Sequence, residues 1–183
     1  MSNASDTLLD GPRLQLRPLR ESDAGPAYLA WMHDRDVVRH LEARFHEHTL
    51  AGLRDYVRAQ LANPDVRFFA ICLKPDGRHI GNIKLGPIDR PHRRADIGIL
   101  LGDKDCWGRG LASEAITLLS EHAFGALGLR KLTAGAYATN VGSIRAFEKA
   151  GFAIEARLRA HYASDAGLVD AVLMCRFTTP QLE

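Results

Sequence analysis

The chain has 183 residues, 46% of them apolar and 25% charged, and its 24 basic and 22 acidic side chains leave a net charge of +2. Those are the proportions of one soluble globular domain long enough to bury a sizeable core. They exclude a strongly basic nucleic-acid binder as the default reading, no apolar run reaches the ~18 residues of a membrane helix, and Cys72, Cys106 and Cys175 are too few and too scattered for a disulfide framework or a zinc cluster. With no secretory h-region after the start, a cytoplasmic location is expected, and neither a membrane nor a nucleic acid is expected as a partner.

Residues 1–10 are small and polar and are expected to be disordered, which leaves 11–183 as a single domain. Residues 13–17 alternate with period two and read as a strand closed by Pro18. Ser22 or Asp23 offers a helix cap for a segment running to about Met32, and Thr49 caps a second helix that ends at Asn63-Pro64. Residues 66–74 and 79–85 flank Pro75-Asp76-Gly77 and read as a hairpin, and 95–101 as a third strand. A long helix is expected over 109–127, then a strand over 131–137, a short helix over 142–150, and closing strands over 152–158 and 168–177. Helices scattered through a largely antiparallel meander indicate a mixed α/β layer, not a doubly wound parallel sheet.

The stretch Trp107-Gly108-Arg109-Gly110-Leu111-Ala112 carries the most information. Two glycines one residue apart allow a ligand close to the backbone, and the helix they open presents unpaired N–H groups and a positive dipole end, an arrangement suited to phosphate or pyrophosphate. A P-loop would need Gly-Lys-Ser/Thr, and a dinucleotide fold would need a third glycine at Ser113 and an acid near Arg130-Lys131-Leu132, so both fail. The same glycines also read as nothing more than a tight strand-to-helix turn.

The segment 107–115 resembles the acetyl-coenzyme A motif of the GNAT superfamily of N-acetyltransferases, Gln/Arg-x-x-Gly-x-Gly/Ala, with Trp107 at the first position and Gly110 and Ala112 matching. The 107–115 stretch looks specifically like that of the branch related to ribosomal-protein alanine acetyltransferases (RimJ/RimL type), of which Trp107 is a typical variant, and the segment from Asn140 to Phe152, which contains Ser143 and Glu148-Lys149, resembles the family's second signature. The opening Leu16-Arg17-Pro18 is also similar to that family's first strand. The resemblance covers about residues 13–178. It implies the GNAT fold, a mixed and mostly antiparallel twisted sheet of about six to seven strands flanked by about four helices.

It also implies the chemistry: transfer of the acetyl group of acetyl-coenzyme A, as co-substrate and without a metal, to a primary amine of a protein N-terminus or of a small molecule such as an amino sugar, by direct attack. Leu100 and Leu101 would pair with pantetheine and residues from Gly108 to Ala112, Trp107 beside them, would hold the pyrophosphate. Asn140 and Ser143 would approach the sulfur, while Arg109 and Arg145 either meet coenzyme phosphates or are solvated helix arginines. Asp96 is the candidate base, relaying through water, or else a strand carboxylate paired with Arg93 or Arg94. Many relatives carry a tyrosine where Phe147 stands; Ser143 is then the candidate acid for the thiolate, with Tyr137 and Tyr162 behind it, or else a helix cap.

Nothing in the residues fixes the acceptor. The basic run from Arg90 to Arg94, with Arg39, Arg44 and His46, reads as an attractor of acidic acceptors or as a solvated loop. None of the eight histidines shows ligand spacing. Two further readings stay open: a non-catalytic acyl-coenzyme A sensor on the same fold, suggested by the missing tyrosine, and an antibiotic-modifying transferase differing only in acceptor. A homodimer is compatible with the size.

Overall fold

Eight strands form one sheet in the order β1-β2-β3-β4-β5-β6-β8-β7, and the computed structural model describes residues 7–178. The strands are β1 (Leu9–Asp10), β2 (Leu14–Pro18), β3 (Arg67–Leu73), β4 (His79–Asp89), β5 (Arg94–Leu101), β6 (Lys131–Tyr137), β7 (Ala153–Ser164) and β8 (Gly167–Phe177). All neighbours are antiparallel except β5 and β6. A parallel pair needs a crossover, and the helix α4 (Leu111–Gly125) supplies it.

Four more helices complete the fold: α1 (Pro26–His33), α2 (Arg35–Val38), α3 (Leu50–Ala62) and α5 (Val141–Lys149). The expected GNAT architecture is present, with a slightly larger count of strands and helices. The additions are the short α2 and β1, whose Leu9 and Asp10 pair with Leu16 and Gln15. Residues 1–6 of the expected disordered segment lie outside the described residues.

Alternation along the strands divides the core between two faces. Leu14, Leu16, Phe69, Ile71, Ile83, Leu85, Ala95, Ile97 and Leu132 pack with Ala115, Ile116 and Leu119 of α4. On the other face Phe68, Ala70 and Cys72 pack with Tyr28 and Met32 of α1 and Leu53 and Val57 of α3. Phe147 is a core residue, edge-on to Phe152 at 5.0 Å between ring centroids.

The start of α1 differs from expectation for a local reason. Asp23 does not cap α1, because the Arg17 guanidinium donates to its two oxygens at 2.7 Å each. Burial pushes the Asp23 carboxyl up, and the Arg17 fork and the Arg20 N–H outweigh it, so the group lies below its ordinary value. A 3-10 turn, Glu21–Asp23, therefore precedes Gly25, and Pro26 opens α1. Thr49 does cap α3, accepting from the Gly52 N–H at 3.1 Å. Among the described residues no helix is long and apolar enough to cross a membrane.

Candidate active site

The pairing of β5 with β6 runs only from Arg94/Lys131 to Asp96/Thr133. Beyond that point β6 continues to Tyr137 beside β8, while β5 continues to Leu101 beside β4. The two strands splay, and the β5 backbone groups that face the gap lose their strand partner, which leaves donors and acceptors for an extended amide chain.

After β5 a 3-10 turn, Lys104–Cys106, is anchored by the fully buried Cys106. Trp107 then donates from Nε1 to the Leu101 carbonyl at 2.8 Å, tying the strand end to the turn. Gly108 and Gly110 have φ of +71° and +76°, a region that costs other residues about 1–2 kcal/mol. Gly110 is the residue before α4, which is why the helix begins at Leu111 and not at Arg109. The turn is braced from β2: Arg13 donates from Nη1 to the Arg109 carbonyl at 2.8 Å and from Nε to Glu114 Oε2 at 2.7 Å. Glu114 Oε1 accepts from the backbone N–H groups of Arg13 and Leu14 at 2.8 and 3.2 Å.

A cleft of about 460 Å³ occupies the gap, and of the residues expected at the coenzyme it is lined by Leu100, Leu101, Trp107, Gly108, Ala112, Asn140 and Ser143. Asn140 caps α5, accepting from the Ser143 N–H at 3.2 Å, so Ser143 is held on the wall. Gly110 shapes the turn without lining the cleft, Leu111 is buried in the core, and Arg109 and Arg145 are exposed at its margin. These groups fit a coenzyme A thioester: a positive helix end over a turn with no Cβ in the way, then a groove of unpaired backbone.

Asp96 differs from expectation. It is exposed, not interior-facing, and accepts a hydrogen bond from the Thr133 hydroxyl where the strands part. The alternation that buries Ala95 and Ile97 turns Asp96 to the opposite face, and it lines neither the cleft nor the pocket beside it.

That neighbouring pocket, about 540 Å³, shares Leu41, Ile99 and Leu100 with the coenzyme cleft. Glu42 stands at the junction, on the 3-10 turn Glu42–Phe45. Its Oε1 accepts from the Tyr137 hydroxyl at 2.6 Å. Burial, then the hydrogen bond and charge of Glu42, push Tyr137 up to about 12, and Tyr162 stacks on its ring at 4.1 Å. Sequence reading missed Glu42, and it also missed the 36–41 segment that closes the cleft through Asp36, Val37, Arg39, His40 and Leu41. No local pattern marks that segment, because its partners lie about a hundred positions away.

A glycine turn at a helix start, a splayed parallel strand pair and an adjoining pocket define a group-transfer site of the coenzyme A type. The model of the acetyltransferase (GNAT) domain matches residues 13–153. A probable N-acetyltransferase of Bacillus subtilis is 32% identical over 151 residues, 79% of this chain and 83% of that protein. Spermidine N(1)-acetyltransferase of Escherichia coli is 28% identical over 168 residues, 90% and 86% of the two chains. In structure, RimL, a ribosomal-protein alpha-N-acetyltransferase solved in complex with coenzyme A, superposes with a TM-score of 0.84 over 96% of this chain and all of its own, at 16% identity. The chain belongs to the GNAT acetyltransferase family and is an acyltransferase.

Proposed function

We propose that the protein transfers the acetyl group of acetyl-coenzyme A to a primary amine inside a ternary complex, as a member of the RimJ/RimL-type branch. The observation that carries this reading is the junction of two clefts at Leu41, Ile99 and Leu100. A donor lying along β5 and an amine in the second pocket would meet there. Positioning of that kind supplies much of the barrier reduction in such a transfer.

The bound thioester supplies the activated acyl group; the chain supplies the rest. Amides at Gly108–Ala112 with the α4 dipole hold the pyrophosphate, aided at the margin by Arg109 and Arg145. An alkyl amine, with a pKa near 10, is mostly protonated at neutral pH and must lose a proton before attack. Glu42 takes that proton in place of Asp96, its far oxygen steadied by the Tyr137 hydroxyl. Unpaired N–H groups of β5 stabilise the charge that develops on the carbonyl oxygen. As the tetrahedral intermediate collapses, the attacking nitrogen gives up its second proton to Ser143 while Ser143 passes its own hydroxyl proton to the departing thiolate, so the serine ends protonated and the thiol is neutral; Phe147 has no proton to give.

The test is Gly110→Glu. A side chain at φ +76° strains the turn that opens α4, and its Cβ stands 3.5 Å from Arg13 Nη2, so its carboxylate competes for the guanidinium that holds the Arg109 carbonyl; coenzyme A binding should be lost in calorimetry while circular dichroism stays that of the folded protein. Unchanged affinity in a folded variant would show that the donor binds elsewhere.

A further inference from the structure

The pocket beside β5 has apolar walls, with Tyr28, Met32, Leu53 and Phe68 among them, and polar side chains that include Glu42, Glu47, Asn82 and Lys84. Glu42 stands at the coenzyme end. On the β4 side stand Asn82 and Lys84, two apart on one strand and so on one face, paired across the sheet with Leu100 and Gly98.

Asn82 is 3% exposed. Its Oδ1 accepts from His79 Nε2 at 2.9 Å, and in that arrangement Nδ2 is a buried donor that makes no hydrogen bond of ordinary geometry, the neighbouring Tyr28 hydroxyl being its one weak contact. A buried N–H left unpaired is costly, so the site is suited to a ligand that brings an acceptor. Lys84 Nζ reaches only neutral oxygens, Gln60 Oε1 at 3.1 Å and Tyr56 Oη at 3.5 Å, and lies 5.9 Å over the Tyr56 ring. Among the described residues it forms no ion pair, whereas Arg17, Arg58, Arg90 and Lys104 each have a carboxylate partner.

We infer, resting on the acetyltransferase reading above, that the acceptor is an amine whose body carries a carbonyl-type oxygen, carboxylate or amide: an amino acid or the first residue of a peptide. Asn82 Nδ2 and Lys84 Nζ receive that oxygen while the amine lies at Glu42. A polyamine offers only donors and positive charge. It would leave Asn82 unpaired and set a like charge against Lys84, and such a mismatch discriminates as strongly as a good contact attracts.

The experiment follows thiol release from acetyl-coenzyme A with phenethylamine, phenylalanine, a short peptide with a free N-terminus, and spermidine. Phenylalanine and phenethylamine differ only in the carboxylate. Phenylalanine, the peptide or both should exceed phenethylamine by about tenfold in kcat/KM, with spermidine poorest; which of the two leads distinguishes a free amino acid from a peptide end. Lys84→Met keeps the apolar stem and removes the charge, so it should bring that ratio down toward one, and Asn82→Leu should act in the same direction. Preference for spermidine, or a ratio unmoved in a folded Lys84→Met variant, overturns the inference. No thiol release with any amine, while calorimetry still records coenzyme A binding, overturns the catalytic reading and this one with it.

Discussion

Glu42 and Tyr137 meet at 2.6 Å although 95 positions separate them. With Tyr137 pushed up to about 12 by burial and by that carboxylate, the phenol keeps its proton throughout the neutral range and donates to one Glu42 oxygen. The other oxygen is left to accept from the substrate amine. Glu42→Gln should therefore lower kcat by about a hundredfold or more, the usual worth of a positioned base, with coenzyme affinity retained in calorimetry. Tyr137→Phe should cost less and should add no limb to the pH–rate profile at neutral pH, because the group it removes does not titrate there. Ser143→Ala should slow turnover through the thiolate step; an unaltered rate would remove Ser143 from the mechanism.

The first turn of α4 is held by residues at the start of β2, about a hundred positions earlier in the chain. Glu114 belongs to the helix, yet its carboxylate closes on Arg13 and Leu14 of the β2 region and so fixes the glycine turn beside it. Removing it in Glu114→Ala leaves two backbone donors and a guanidinium without their acceptor, which should cost about 1–3 kcal/mol in denaturant unfolding. Coenzyme affinity should weaken in the same variant, since Arg13 also holds the Arg109 carbonyl. Loss of stability with full affinity would mean that the turn needs no brace. The glycine pair is legible in the sequence as a ligand turn, but the brace is not, because an acid in the first turn of a helix reads equally as dipole compensation.

Across the whole molecule, period and turn chemistry locate most strands and helices to within a few residues. The motif at 107–112 and the segment at 140–143 reach the same cleft because both precede helices that start at the splayed strand pair. What escapes a reading by period is which face lacks cover. Alternation in β5 separates Ala95 and Ile97 from Asp96, but it does not say that the Asp96 side is open, and so the acid is misread as interior-facing. Glu42, Asn82 and Lys84 escape for a related reason: each gains its meaning only when α1–α3 fold over β4 and β5. Donor and amine are proposed to meet where the two clefts join. The most direct test of that meeting is amine-dependent thiol release from acetyl-coenzyme A, compared between the native protein and Gly110→Glu with product identified by mass spectrometry. The native protein alone should form an N-acetylated amine in step with free thiol. Thiol release that ignores the amine, or an equal rate in the variant, would contradict it.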